Sequence, residues 1–377
     1  MSVLSGCAIA NNADSVKDTT IAADTSTSVM EVHFLDVGQG DCTLIKSGDS
    51  YMLINAGDTN KGTLIQNYLQ KRGIKKLDYL MLTHPDADHI GGAPVIVTKF
   101  DIDTIWMSNY TKDNRTFDNV IQALKYKSYQ YMTPAVGSTY QLGDATITVL
   151  APNREYSDPN NASIALLIQN GSTKFLFTGD AEEAENDISS NGIDIQADVY
   201  KVGHHGSKTS TSEDFFNAVK PTYAVISCAE GNIYGHPHAQ TMNTLRMNNV
   251  KVYRTDESGT IIAKSDGINI LFDVPSSESW RAGEPIGSSA AAESNSDITE
   301  VADTNTMETA EVQPPTTSKK TVQATAKNEL SYVLNSKTKK FHKSSCSSLP
   351  TTNRVDSTKS RDEIIASGYV ACKKCNP

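Results

Sequence analysis

From Met30 onward, short apolar runs alternate with amphipathic segments, and glycines punctuate them. Residues 32–37, 41–46 and 51–55 predict three short strands joined by Gly-rich turns. Residues 63–72 carry a helical period, and Gly73 supplies the stop. Residues 77–82 form an apolar run that predicts a buried strand, followed by a strand at 102–107 and a helix at 116–127. A second half repeats the alternation. Strands are predicted at 146–150, 163–169, 174–178, 199–202, 224–227 and 250–254, with helices at 181–189, 213–219 and 240–248. Two groups of strands, each with its own helices, predict an α/β chain of two sheets with outer helices. The pattern stops near residue 276. Residues 276–330 are dominated by Ser, Thr, Ala and Glu and broken by Pro314-Pro315, so they read as a disordered linker. Residues 331–377 form a separate small module.

Composition changes this picture in two ways. A hydrophobic share of 38% and an aromatic share of 7% are low for a fully packed chain, which agrees with an unpacked linker. A net charge of −10 excludes a generic polyanion binder, so a nucleic-acid substrate would need a local basic groove. Six cysteines do not suggest a disulfide framework. Cys42 and Cys228 sit alone in apolar strands as core thiols, whereas Cys346, Cys372 and Cys375 belong together. No run is long enough to span a membrane.

The chemistry concentrates directly after the strand at 77–82. Thr83-His84-Pro85-Asp86-Ala87-Asp88-His89-Ile90-Gly91-Gly92 packs two histidines and two aspartates into six positions. That places them at the C-terminal end of a buried strand, where layered α/β folds carry their sites. Mixed imidazole and carboxylate donors suit zinc, manganese or iron. Gly91-Gly92 lets the chain turn tightly past an ion. The plainer reading, a polar loop with an N-cap aspartate, seldom crowds four such groups into one turn.

The segment resembles the HxHxDH signature of the metallo-β-lactamase superfamily, with Asp86 in place of the second histidine. Four further segments resemble the same family in the same order. Phe34-Leu35-Asp36-Val37-Gly38-Gln39-Gly40-Asp41 is similar to the opening strand and turn of the ComEC type, the hydrolase domain of bacterial DNA-uptake channels. Phe177-Thr178-Gly179-Asp180 resembles the strand end with the metal-bridging aspartate. Lys201-Val202-Gly203-His204-His205-Gly206-Ser207 and Tyr234-Gly235-His236-Pro237-His238 resemble the last two histidine motifs. The resemblance covers about residues 30–274 and implies an αββα sandwich.

It also implies roles. His84 and Asp86 would belong to one ion, Asp88 and His89 to the other, with Asp180 bridging. Either His204 or His205 would complete the second ion. His236 would be a ligand or would hold a substrate oxygen, the second role being preferred. Asp88 would also orient the attacking water. Many relatives place another histidine on the first ion, but Pro159-Asn160-Asn161-Ala162-Ser163 has none; ComEC-type domains have a similar Asn-x-x-Ser. Asn55 stands where many relatives have aspartate. An oxygen-rich first site shifts preference toward manganese or weak occupancy. Lys208, among Ser207, Thr209 and Ser210, would bind phosphate, unless that turn only caps the next helix, which Ser212 would serve equally well. His33 reads as a core or edge histidine and His238 as a support for His236.

The two ends carry their own signals. Leu4-Ser5-Gly6-Cys7 resembles a bacterial lipobox, although the basic and most of the apolar parts of a signal peptide are missing. It predicts a lipid-bearing Cys7 followed by a tether through residue 29. In the tail, His342-x3-Cys346 and Cys372-x2-Cys375 have structural-zinc spacing. A module this small needs a staple, which zinc would supply. It resembles the Ada-type metal-binding domain, and Lys339, Lys340, Lys343, Lys373 and Lys374 surround the site as a solvated basic surface.

The expectation is therefore a tether (1–29), a hydrolase domain (30–275), a linker (276–330) and a zinc module (331–377). The protein is expected to be monomeric, exported and anchored on the outer face of a bacterial cytoplasmic membrane. ComEC channels carry membrane helices in the same chain and this sequence shows none, so a stand-alone hydrolase is expected. It would hold one or two Mn or Zn ions in the hydrolase site and cleave phosphodiesters, with DNA the leading substrate. Two alternatives stay open: a phosphoesterase acting on a cell-wall or small-molecule substrate, and a binding protein with a degenerate metal site.

Overall fold

The computed structural model describes residues 29–283 and, in the tail, residues 332–335, 337–343, 346, 349, 354–357, 364 and 369–372. The expected lipid-bearing Cys7, the tether before residue 29, the linker from 284 and Cys375 lie outside the described residues. The first half of the core runs β1 (Met30–Phe34), β2 (Thr43–Ser47), β3 (Ser50–Ile54), α1 (Gly62–Lys71), β4 (Lys76–Leu82), α2 (Ala87–Ile90), α3 (Ala93–Lys99), β5 (Asp101–Met107) and α4 (Arg115–Lys127). The second half runs β6 (Thr139–Leu142), β7 (Ala145–Ala151), β8 (Ala165–Asn170), β9 (Thr173–Phe177), α5 (Ala184–Ser190), β10 (Val199–Lys201), α6 (Glu213–Val219), β11 (Tyr223–Ile226), α7 (Ala239–Met247), β12 (Lys251–Arg254), α8 (Thr255–Ser258), β13 (Ile261–Ser265) and β14 (Ile270–Phe272).

These strands form two seven-stranded sheets, ordered β14-β13-β1-β2-β3-β4-β5 and β12-β11-β10-β9-β8-β7-β6. Alternation places Met30, Val32 and Phe34 of β1 on the inner face, where they meet Phe175, Phe177, Val199 and Val225 of the second sheet. The outer face of the first sheet packs under α1, α3 and α4 through Ile65, Leu69, Ile96, Val97 and Leu124. That of the second packs under α5, α6 and α7 through Ile188, Phe215, Phe216 and Leu245. The result is the expected αββα sandwich.

In the core, strands β6, β13 and β14 and helices α2, α3 and α8 were not foreseen. β6 is an edge strand with mostly solvent-facing residues, so it lacks an apolar run. β13 exists because it pairs antiparallel with β1, more than two hundred residues away in sequence. α3 opens with Pro at its first turn, which a helix accepts there because that N–H has no intrahelical partner. The predicted linker boundary also differs. Residues 276–283 stay tied to the core: Ser277 N–H donates to Val252 O at 2.6 Å, Gly283 N–H donates to Pro237 O at 2.8 Å, and Trp280 packs against the outer core of the second sheet.

The parallel strands matter most for function. β3, β4 and β5 are mutually parallel, as are β9, β10, β11 and β12. Asn55, Thr83-His84, Asp180, Lys201-His205 and Ser227 all follow the C-terminal ends of these strands. The tail folds as a unit of its own, a sheet ordered β17 (Arg354–Ser357), β15 (Tyr332–Asn335), β16 (Lys340–Lys343) and β18 (Val370–Ala371). Its small core is Tyr332, Leu334, Phe341 and Ile364.

Candidate metal centre

β4 ends at Leu82 and the chain passes through His84 into α2, which carries Asp88 and His89 on a single helical turn. Asp86 stands at the N-cap position of α2 but makes no capping hydrogen bond. Gly91 and Gly92 follow in ordinary right-handed helical conformation, so tight turning is not their role. They are needed for contact: a Cβ on Gly91 would lie 2.3 Å from Thr59 N, and one on Gly92 would lie 2.2 Å from Ala56 O. After β10 the tight turn Gly203–Gly206 places both His204 (φ 49°) and His205 (φ 54°) in the left-handed region. Non-glycine residues there cost about 1–3 kcal/mol each and cluster at functional sites.

The side chains converge on Asp180. Its Oδ2 lies 3.2 Å from His89 Nε2, 3.6 Å from His205 Nε2, 3.8 Å from His204 Nε2 and 3.9 Å from His84 Nε2. Asp88 Oδ2 lies 3.3 Å from His205 Nε2. The donor atoms group as His84, His89 and Asp180, and as Asp88, His89 and His205, each set within 4.8 Å. Nε2 of His84, His89 and His205 are all buried without a hydrogen-bond partner among the described residues. Buried polar atoms are ordinarily paired, so three orphaned imidazole nitrogens aimed at one carboxylate are a donor set for a cation. The far side of the ring sets the tautomer for His205, because Nδ1–H donates to Ser227 O at 2.9 Å and leaves Nε2 a bare acceptor. His84 Nδ1 lies 3.1 Å from Thr83 Oγ1 and 3.2 Å from Ser163 Oγ, partners that suit the same tautomer.

The sequence-predicted residues do not all meet as expected. Asp86 belongs to neither donor grouping among the described residues; it accepts from Lys112 Nζ at 2.7 Å. His89 belongs to both donor groupings, and its one Nε2 can ligate only one ion, so the groupings divide a shared set rather than supply two full sites. His205 is the buried member of the double histidine. His204 is half-buried, with Nδ1 3.0 Å from Glu182 Oε1. His236 lines the recess beside His204 and His205, with its Nδ1 buried and unpartnered among the described residues. Lys208 is exposed, and its backbone N–H donates to His238 Nδ1 at 2.9 Å. Ser212 caps α6, accepting from Phe215 N. Ser207 and Ser210 are buried, Ser210 Oγ donating to Ala181 O, so the phosphate-binding expectation at this turn narrows to Lys208 and Thr209.

The electrostatics follow from crowding. Burial raises the Asp88 and Asp180 carboxyls, but His89 and His205 outweigh it and hold both well below the carboxylate range. Burial lowers His89, yet Asp180 and Asp88 lift it to about 9. Burial and then His89 push His84 down to about 4, and burial with His205 and His204 push His236 down to about 3. His84 and His236 are thus neutral at pH 7.

Several supporting residues carried no assigned role in the sequence. Asp41, completing the first motif, forms a buried ion pair with Lys201 at 3.2 Å and accepts from Asn55 Nδ2 at 3.0 Å. Asn55 has φ 59°, and its Nδ2 also lies 2.9 Å from His89 Nδ1, while its Oδ1 accepts from Thr83 N. Ser163, in the stretch that lacks a histidine, touches His84 and accepts from Asp180 N at 3.1 Å. Asp41, Lys201 and Ser163 lie within quoted segments and Asn55 ends the third predicted strand, yet only the three-dimensional pairing reveals the task of each. In the tail, His342, Cys346 and Cys372 are buried and share one grouping, with His342 Nδ1 3.4 Å from Cys346 Sγ.

Comparison with known proteins agrees with this geometry. Residues 35–230 match the profile of the Metallo-beta-lactamase superfamily. ComE operon protein 3 of Bacillus subtilis (strain 168) is 34% identical over 254 residues, covering 61% of this chain and 32% of that protein. Recombination protein 2 of Haemophilus influenzae is 32% identical over 240 residues, covering 61% and 28%. Competence protein ComA of Neisseria gonorrhoeae is 30% identical over 230 residues, covering 60% and 31%. The chain spans about a third of the length of these relatives.

Proposed function

The chain belongs to the metallo-β-lactamase superfamily, and from that premise we propose that it is an exported metal-dependent phosphodiesterase acting on DNA. The observation that carries the reading is the set of orphaned imidazole nitrogens around Asp180, open to solvent through a recess of about 120 Å³ lined by Asp86, Asp88, His204 and His236. The superfamily fold implies divalent ions, and His84, His89, His205, Asp88 and Asp180 would hold them here. Such an ion supplies Lewis acidity and lowers the pKa of water toward neutrality. The residues do the rest. Asp88 is ionised and half-exposed at the recess, placed to orient the attacking hydroxide through its carboxylate. Neutral His236 presents a ring nitrogen to a substrate oxygen, and exposed Lys208 offers a cation to phosphate.

Two of the relatives are named for recombination and for competence, which supports DNA as the substrate. Export and lipid anchoring rest on the Leu4-Ser5-Gly6-Cys7 motif. No helix among the described residues is long and apolar enough to cross a membrane. The tail, in this reading, is a zinc-stapled module joined by a linker. A second reading has one observation in its favour: the acidic rim of Asp58, Asp86, Glu182 and Glu230 suits a small phosphodiester or ester better than a long polyanion. The deciding experiment incubates the metal-loaded protein with single- and double-stranded DNA, with and without chelator. Cleavage that chelator stops, and that Asp88→Ala abolishes without changing the circular dichroism spectrum, is expected. If DNA survives while bis-p-nitrophenyl phosphate or a phosphocholine ester is hydrolysed, the phosphoesterase reading replaces it.

A further inference from the structure

The loop at 229–235 raises Ile233 and Tyr234 into solvent beside the metal centre, 65% and 57% exposed. Adjacent large apolar groups on a surface next to a polar cleft mark a contact site. The loop is not slack. Asn232 is buried, its Oδ1 accepts from the backbone N–H groups of Tyr234 at 3.1 Å and His236 at 3.0 Å, and its Nδ2 donates to Ala229 O at 2.9 Å and His236 O at 2.6 Å. Those bonds use both ends of the carboxamide, so the loop is wrapped around one side chain and holds its exposed pair in place.

The rings are ordered outward from the metal ligands. His205 and His236 lie 6.1 Å apart with 22° between planes, and His236 and Tyr234 lie 5.6 Å apart with 21°. Among the described residues, Tyr234 is thus the outer ring of a near-parallel series that starts on the proposed ligand His205. Beside it opens a recess of about 380 Å³ between the loop and Gln39, Asp58, Ala87 and Asp88. Asp88, Gln39 and Tyr234 also line the recess over the metal ligands, so the two are neighbours. Its charged lining, Asp58, Asp88 and Glu230, repels phosphate but accepts hydrogen bonds. Ile233, Ala87, Ala229 and the Tyr234 ring supply apolar surface. A phosphodiester reacting at the metal centre would turn a flat, uncharged, donor-bearing part toward such a recess.

We propose that this recess seats the nucleobase next to the scissile phosphate, stacked on Tyr234 and flanked by Ile233, which makes the enzyme selective for unpaired strands. This rests on the nucleic-acid reading above. A base held in a duplex cannot offer its face to a side chain, whereas a single strand can.

The test uses the full chain loaded with manganese and two single-stranded oligonucleotides, one with all bases and one with tetrahydrofuran abasic residues. Base–aromatic stacking predicts a KM lower by roughly 5- to 150-fold for the base-bearing strand. Tyr234→Ala should erase that ratio, with the loss falling on KM rather than kcat, while Tyr234→Phe keeps it. Ile233→Ala should narrow the ratio without disturbing the ring series. Metal content and thermal melting report whether each variant is folded. Equal KM values for the two strands in the wild type would overturn the inference while leaving DNA hydrolysis intact. Failure to bind or cut either strand would overturn the inference together with the reading beneath it.

Discussion

Removing the ammonium of Lys201 should damage this protein more than removing any exposed lysine. Lys201 ends β10 with a side chain 7% exposed, and its Nζ meets Asp41 Oδ1 at 3.2 Å, that carboxylate being 6% exposed. Asp41 also ties two loops together, since its N–H donates to Asp88 O at 3.0 Å and its carbonyl accepts from Gly57 N at 2.9 Å. Burial raises the Asp41 carboxyl, and Lys201, then His89 and His205, bring it below its ordinary range. Lys201→Met leaves a buried carboxylate with one neutral donor, Asn55. Breaking such a pair from one side costs about 3–5 kcal/mol. For a domain of this size that lowers the melting temperature by about 6–20 °C. The sign with pH is fixed by the depressed carboxyl: the stabilisation is present above the ordinary carboxylate pKa and is lost as pH falls through the folded value. The variant should therefore differ most from wild type at pH 7 and least in acid. Urea titrations on metal-free protein, which removes stabilisation by bound ion, measure the difference. Asp41→Leu with Lys201→Met should recover most of the loss, because a neutral pair of similar volume leaves no buried charge. A Lys201→Met protein within about 1 kcal/mol of wild type at neutral pH would refute the reasoning.

Other outcomes follow from the same geometry. Burial pushes Glu185 up from 4.5 to about 7 although Thr211 N, Ser212 N and Tyr200 Oη donate to it. A raised carboxyl stabilises fully below its unfolded pKa and loses that contribution as pH rises through 7, an effect on the order of 3 kcal/mol. Urea midpoints at pH 4.5 and 8 should diverge in wild type and converge in Glu185→Gln; parallel behaviour would sink the assignment. Because His89 is shared, metal analysis of the core should give one tightly held ion and a second that dialysis removes; two ions retained equally would contradict the divided donor set. The oxygen-rich first site expected from the sequence, with Asp86 in it, predicts that manganese restores more activity to stripped protein than zinc; full recovery with zinc alone would agree with Asp86 staying on Lys112. In the tail, Cys372→Ser should release one equivalent of zinc and leave hydrolysis at the core in place; an unchanged zinc content would show that Cys372 is not a ligand.

Much of the fold was legible because its parallel strands are buried on both faces and so appear as plain apolar runs. The runs at 77–82 and 174–178 match β4 and β9 within a residue at each end. Sequence pattern failed where an element is stabilised by a distant partner or lies at an edge. Residues 261–265 become β13 through the ladder with β1, and no local signal carries that pairing. The helix Ala93–Lys99 contains four β-branched residues after a proline; its apolar residues Ile96 and Val97 are buried under the sheet, and that packing decides against a strand.

The site shows the same division more sharply. Donor identity was legible, since histidine and aspartate at strand ends have few other reasons to crowd together. Donor grouping was not. The family resemblance pairs His84 with Asp86, but a chain passing from an extended turn into one turn of helix places Asp86 beside Lys112 and brings His89 to His84, ring centroids 4.1 Å apart. His204 and His205 are adjacent in sequence, and only the two left-handed residues decide that one ring enters the centre and the other meets Glu182. The strained turn, the close-packed Gly91 and Gly92 and the buried Asp41–Lys201 pair all carry local costs that the chain would not keep for packing alone. They hold imidazole nitrogens close around the Asp180 and Asp88 carboxylates, an arrangement that suits a divalent cation.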